Sequence, residues 1–253
     1  MKVRVLGSCG SRVPGQQTSC LLIDEQVIVD AGGITAKLSV EEQAAIDHVL
    51  ISHAHLDHIY DLAFLADNVM AGRTDSLRVW APQEVLDVLH RNIFNDQVWP
   101  DLTRLKLSGF PVIELCCLPE GVVTQVGSLK VCWAPTNHTV FAAGYLLSGE
   151  ATSILYSGDT TTTDALWELG KASKELAAVF VETSFPDRLE TLALQTGHLT
   201  PTLLTKELAK LDKPEVPVKI FHMKPQYLEE ISAELASCQK HCRVLNGNER
   251  FVF

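Results

Sequence analysis

Six consecutive residues, His53-Ala54-His55-Leu56-Asp57-His58, carry four side chains able to bind a metal, and they follow directly on the run Val49-Leu50-Ile51-Ser52. A short apolar run of that kind reads as a strand buried on both faces. It carries the imidazoles into the interior, where polar and charged groups are costly without partners. The fold must therefore supply either a cation or a dense set of hydrogen bonds at this strand end. In the extended part of the motif residues two apart face the same way, so His53 and His55 can hold one ion together. Where the chain turns toward the next helix, Asp57 and His58 can swing toward a second ion. Zinc takes imidazole and carboxylate ligands and keeps a position open for water when it is catalytic. The plain alternative is a solvated polar loop, and the buried strand before it argues against that.

Two ions need more ligands than this segment offers. Apolar or alternating runs predict strands at 3–6, 20–23, 27–30, 49–52, 77–80, 112–118, 122–126, 129–134, 140–147, 152–157, 178–182, 217–221 and 243–245. Helical periodicity covers 39–46, 62–70, 82–94, 163–174, 187–195, 201–211 and 225–238. Ser39 and Glu42 have capping-box spacing, and Thr200-Pro201 is an N-cap followed by proline at the first helical position. The class is α/β, with mixed sheets packed by helices. His138, Asp159 and His222 each fall just after a predicted strand, at the end where α/β proteins gather their sites. Singly each is an ordinary polar residue; jointly they supply the missing ligands.

No linker, repeat or low-complexity block divides the 253 residues, so a single domain over 1–253 is expected. The start, Met1-Lys2-Val3-Arg4-Val5-Leu6, alternates and then meets Gly7, unlike an export signal, and no apolar run reaches membrane-spanning length. A cytoplasmic protein is expected. Its seven cysteines (9, 20, 116, 117, 132, 238 and 242) have no framework spacing and read as free thiols. Cys238 and Cys242, with His241 between them, read as thiols on one helical face rather than as metal ligands. The formal net charge of -10 disfavours extended nucleic acid as a partner. A small anionic substrate stays compatible, because bound metal ions reverse the local potential. A homodimer is left open.

Taken together, Leu6-Gly7-Ser8, Val29-Asp30-Ala31-Gly32, His53 to His58, His138, Ser157-Gly158-Asp159-Thr160 and His222 resemble the metallo-β-lactamase superfamily, in the expected order and over nearly the whole chain. The resemblance implies an αββα sandwich of two mixed β-sheets flanked by helices. It implies two metal ions, zinc with manganese or iron as substitutes. One is held by His53, His55 and His138, the other by Asp57, His58 and His222, with Asp159 bridging. It makes Asp30 an acceptor that fixes a ligand histidine's tautomer, although an ordinary turn acid is an equal reading of that residue. The loop from Gly7 to Gly15 becomes a tight turn near the metals.

The superfamily hosts many hydrolases, so the fold does not choose the substrate. Val181-Glu182-Thr183-Ser184-Phe185-Pro186, Thr196-Gly197-His198-Leu199-Thr200-Pro201 and Phe221-His222-Met223-Lys224-Pro225 together are similar to the class II cyclic-nucleotide phosphodiesterases. That likeness implies hydrolysis of a small phosphodiester, a 3',5'-cyclic nucleotide, to the 5'-nucleotide. A water bridging the two ions would be the attacking hydroxide. The reacting residues would be His198, Glu182 and Asp57. His198 precedes a helix N-terminus, and a Glu182 hydrogen bond would favour its charged form, ready to protonate the leaving ribose oxygen. The alternatives are a transfer-RNA 3' processing nuclease, or a lactonase or other hydrolase of this fold. His48, His90 and His241 read as incidental, and Trp99, in the irregular stretch 95–101, reads as a core or surface-cover residue, with pocket lining as the alternative. Nothing in the sequence singles out a residue that reads a base.

Overall fold

The computed structural model describes residues 1–238 and 242–253. Its strands are β1 (Lys2–Gly7), β2 (Cys20–Ile23), β3 (Val27–Val29), β4 (His48–Leu50), β5 (Leu77–Ala81), β6 (Lys106–Leu107), β7 (Phe110–Pro111), β8 (Ile113–Cys117), β9 (Thr124–Val126), β10 (Leu129–Thr136), β11 (Ala142–Ser148), β12 (Ser153–Tyr156), β13 (Leu176–Glu182), β14 (Val218–Phe221), β15 (Cys242–Val244) and β16 (Arg250–Val252). Its α-helices are α1 (Val40–Ala44), α2 (Leu56–Ile59), α3 (Leu62–Val69), α4 (Gln83–Asn92), α5 (Ala165–Ala172), α6 (Glu190–Thr196), α7 (Pro201–Leu211) and α8 (Leu228–Cys238).

The strands form two seven-stranded sheets, β16-β1-β2-β3-β4-β5-β8 and β15-β14-β13-β12-β11-β10-β9, plus the small hairpin β6-β7. Both sheets are mixed. In the first, pairing is antiparallel from β16 to β3 and parallel from β3 to β8. In the second it is antiparallel from β9 to β12 and parallel from β12 to β15.

Three buried clusters separate four layers. Leu50, Val29, Tyr145, Phe180 and Phe221 pack between the sheets. Val49, Ile51, Leu77 and Val79 face Leu65, Leu86 and Leu89 of α3 and α4. Val179, Val181 and Ile220 face Trp167, Leu204 and Leu235 of α5, α7 and α8. Successive residues of β13 thus enter opposite cores, which is why its sequence is an unbroken apolar run. The αββα sandwich is the expected architecture.

The local signals hold where they were explicit. Ser39 Oγ accepts from Glu42 N at 3.3 Å and Glu42 Oε2 from Ser39 N at 2.9 Å, closing the capping box of α1. Thr200 caps α7, accepting from Leu203 N at 3.4 Å. Three expectations change. Asp57 and His58 do not lie in a turn leading to the helix at 62; they belong to α2, a separate single turn that starts with His58 N donating to His55 O. The segment at 187–189 is a 3-10 turn ahead of α6. Cys242 opens β15, so it does not share a helical face with Cys238, and His241 lies outside the described residues. The hairpin β6-β7 and strand β16 are too short to show a period; β16 is held by pairing to β1.

Cys9, Cys20, Cys116, Cys117 and Cys132 are thiols outside any disulfide. Among the described residues no helix is long and apolar enough to cross a membrane. His48 accepts from Trp80 Nε1 at 3.2 Å, and His90 stands on the surface 3.5 Å from Asp101. Trp99 packs partly against the first core.

Candidate active site

The C-terminal ends of β3, β4, β10, β12, β13 and β14 open toward one place, and each contributes one or more polar side chains there. Asp30 follows β3, His53 and His55 follow β4, His138 follows β10 and Asp159 follows β12. Glu182 ends β13, and His222 follows β14. Asp57 and His58 come from α2, and His198 from the link between α6 and α7. Asp30, His53, His58, Asp159, Glu182, His198 and His222 are all buried.

Asp159 sits at the centre. Its Oδ1 is 3.3 Å from His58 Nε2, and its Oδ2 is 3.3 Å from His222 Nε2, 3.7 Å from His53 Nε2 and 4.0 Å from His138 Nε2. Asp57 Oδ2 meets His222 Nε2 at 3.2 Å. His53, His55 and His138 form one group whose ligand atoms lie within 4.8 Å of one another; Asp57, His58 and His222 form another, and Asp159 joins His53 and His58 in a third. His198 comes equally close in two further groups, with His138 and Asp159 and with Glu182 and His222.

Hydrogen bonds behind the rings turn their lone pairs inward. Asp30 is the hub on one side. Its Oδ2 accepts from His58 Nδ1 at 2.7 Å, from Tyr156 Oη at 2.6 Å and from Ser52 Oγ at 2.8 Å, and its Oδ1 accepts from Ser52 N at 2.8 Å. Because Ser52 Oγ gives its proton to Asp30, it accepts from His53 Nδ1 at 3.0 Å. On the other side His138 Nδ1 donates to Gly197 O at 2.8 Å, and His222 Nδ1 donates to Ser184 Oγ at 2.9 Å. Each ring is thus held through Nδ1 and turns Nε2 inward as its ligand-type atom.

These atoms fit a metal. His58 Nε2 and His222 Nε2 face each other at 3.3 Å, as do His55 Nδ1 and His138 Nε2 at 3.0 Å. Lone pairs so placed repel unless a proton or a metal ion lies between them. His53 Nε2 and Asp159 Oδ1 are buried with no hydrogen-bond partner, which is costly for groups with no coordination role. Imidazole and carboxylate together suit first-row divalent ions.

Charge divides these histidines. Burial pushes His53 well below the usual imidazole range, and burial also lowers His55 and His138, keeping them neutral. Burial opposes a charge on His58 too, but the Asp159 and Asp30 carboxylates outweigh it and hold that group well above its ordinary value. Burial would raise Asp159, yet His222 and His58 keep it well below.

Glu182 and His198 meet beside the cluster. His198 Nδ1 donates to Glu182 Oε1 at 2.8 Å. Burial disfavours the charged imidazole, and the Glu182 carboxylate more than offsets it, raising the His198 pKa. Ser184 joins this pair to the ligand-type histidines: its Oγ is 2.9 Å from Glu182 Oε2 and 3.2 Å from His198 Nδ1, besides accepting from His222.

Two close approaches hold the walls. Gly10 packs so tightly on His222 that a Cβ would lie 2.2 Å from its carbonyl oxygen. Gly197 closes α6 at φ 74, and a Cβ there would come 2.6 Å from His138 Nδ1. Gly197→Ala is therefore expected to tilt the His138 ring and weaken zinc affinity about tenfold or more. Competition with a chromophoric chelator measures it, and unchanged affinity would count against this role of the turn.

Every site residue expected from the sequence comes to this one place, and Asp30 partners a site histidine rather than serving as a plain turn acid. Ser52, Tyr156, Ser184 and Gly197 were missed. Ser52 ends the apolar run before His53 and Ser184 lies within Val181-Glu182-Thr183-Ser184-Phe185-Pro186, but nothing local marks a serine as the acceptor of a histidine proton.

A beta-lactamase superfamily domain model matches residues 27–223. A relative named a probable 3',5'-cyclic-nucleotide phosphodiesterase, from Yersinia pestis, is 29% identical over 211 residues, covering 72% of this chain. The chain spans 58% of that relative's own length. Among solved structures, unliganded yeast PDE1 superposes with a TM-score of 0.84 at 20% identity, over 99% of each chain. The short form of human tRNase Z superposes with a TM-score of 0.73 at 15% identity, over 100% of this chain and 99% of that one. At such identities these two likenesses speak for the fold alone.

Proposed function

This chain belongs to the beta-lactamase superfamily, and from that premise we propose that it is a two-metal phosphodiesterase hydrolysing 3',5'-cyclic nucleotides to 5'-nucleotides. The observation that carries the reading is the buried Glu182–His198 pair, 2.8 Å apart, beside the imidazole cluster. A phosphodiester with a ribose leaving group needs a proton donor at that oxygen, and this pair supplies one. The name of the Yersinia pestis relative agrees with the reading.

His53, His55 and His138 would hold one ion, Asp57, His58 and His222 the other, and Asp159 both. Zinc, manganese or iron there would supply Lewis acidity toward the phosphate and an activated water. The chain's own residues do the rest. Asp30, directly and through Ser52, holds the His58 and His53 rings at Nδ1 and leaves Nε2 toward the cluster. Glu182 engages His198 at Nδ1, so the proton available for transfer is the one on Nε2. Raised in pKa, His198 keeps that proton near neutrality for the leaving ribose oxygen.

Purified protein loaded with zinc or manganese, given cyclic AMP, cyclic GMP, bis(p-nitrophenyl) phosphate and a precursor transfer RNA, tests this. The expected result is release of 5'-nucleotide by protein carrying two ions per chain, falling to background after chelation and returning on metal addition. No turnover of any phosphodiester with both ions bound would refute it. Faster cleavage of the RNA than of cyclic nucleotide would assign the nuclease activity instead.

A further inference from the structure

Asp57 is the carboxylate of the cluster that meets solvent, its side chain 32% exposed, so the mouth of the site lies at α2. Tyr60, three residues on, shares the side of the turn that carries Asp57. Leu56, Tyr60 and Phe64 stand 65%, 39% and 41% exposed. The aromatic surface continues outward, with ring centroids 5.9 Å apart from Tyr60 to Phe64 and 5.2 Å from Phe64 to Trp99. Across from it, the loop after β1 seats Gly10 on His222 and then exposes Arg12, whose Cζ lies 4.2 Å over the Tyr60 ring. α2 and its C-terminal cap thus carry both the Asp57–His222 contact, inside, and the Arg12–Tyr60 contact, at the rim.

The protein carries a net -10, and five of its nine arginines, Arg4, Arg73, Arg78, Arg104 and Arg188, are ion-paired. Among the described residues Arg12 has no carboxylate partner and touches the Tyr60 ring instead. A guanidinium stacked on a ring keeps its in-plane N–H donors free. An open aromatic shelf beside free planar donors is the chemistry that takes a nucleobase, by its face and by its acceptor edge.

We infer that Arg12 and Tyr60, extended by Phe64 and Trp99, form the subsite for the nucleobase of a substrate whose phosphate sits at the metal-ligand cluster. The subsite rests on the phosphodiesterase reading above, and a binding measurement separates the two. In the metal-loaded full chain, fluorescence quenching is titrated with guanosine 5'-monophosphate, adenosine 5'-monophosphate and base-free ribose 5-phosphate. A Trp99→Phe variant assigns the signal to Trp99. Arg12→Ala and Tyr60→Ala should each weaken binding of the two nucleotides about tenfold and leave ribose 5-phosphate unchanged. In turnover they should raise KM for cyclic nucleotide about tenfold, with kcat within about twofold.

Nucleotide affinities untouched by both substitutions would overturn the subsite. So would equal weakening of ribose 5-phosphate, which would make Arg12 a phosphate clamp. If the loaded chain turns over no phosphodiester, the phosphodiesterase reading fails while the titration still decides the subsite. Nucleotide binding that depends on Arg12 and Tyr60 upholds it, and absence of nucleotide binding removes it.

Discussion

His198→Ala is expected to lower kcat for cyclic AMP or cyclic GMP by about 10²–10⁴-fold, while turnover of bis(p-nitrophenyl) phosphate falls far less. A p-nitrophenolate leaves without help, whereas a ribose alkoxide needs a proton as the bond to phosphorus breaks. Comparing the two substrates in one variant therefore isolates proton donation from binding. The geometry behind the prediction is the His198 Nδ1–Glu182 Oε1 bond of 2.8 Å, which fixes the ring and leaves Nε2 as the donor atom. Equal losses on both substrates would mean that His198 serves the metal cluster or the packing instead.

The same pair predicts a pH dependence with a definite sign. Burial alone would lower the His198 pKa, and the Glu182 carboxylate more than reverses that, so the net shift is upward from 6.5. A donor acts while protonated, so kcat for cyclic nucleotide should hold below the His198 pKa and decline as pH rises through it. In Glu182→Gln the raising charge is gone and burial remains, so the alkaline limb should move to lower pH. An unmoved limb would assign it to another group.

Asp30→Ala is expected to have the largest effect on stability, about 3–5 kcal/mol, read as a fall in Tm on the order of 10 °C. Asp30 is fully buried, and its carboxylate accepts from Ser52 N, Ser52 Oγ, His58 Nδ1 and Tyr156 Oη. Alanine would strand all of these donors in a dry interior, where each unmade bond costs about 1–3 kcal/mol. Asp30 also has φ 57, a left-handed backbone that Asp and Asn tolerate better than Ala. Asp30→Asn should therefore lose less, though its amide N–H₂ must still face donors. Calorimetry of the metal-free and metal-loaded forms checks both, and a Tm for Asp30→Ala within about 2 °C of the parent would refute the hub role.

Much of the site was legible because its chemistry is locally encoded. Four ligand-type residues at the end of an apolar run cannot be explained as packing. His138, Asp159 and His222 each show their place by following a run that reads as a strand. The turn at 56–59 was not legible: a single helical turn is too short for any period, and α2 is closed by His58 N donating to His55 O. Strand β16 was hidden for a similar reason, since three residues acquire their strand character from β1.

The sequence by itself determined the α/β class, the capped ends of α1 and α7, the strands buried on both faces, and the ligand types with their order along the chain. These follow from periodicity and from the chemistry of single residues, which act over a few positions. Only the tertiary structure decided which strands are neighbours, and with that which proton each imidazole carries. His58 faces His222 across 164 positions, and Tyr156 donates to Asp30 across 126. Those pairings arise when two sheets stack and bring their strand ends together. No local pattern in Ser52, Ser184, Gly197 or Arg12 announces a partner that the packing alone delivers.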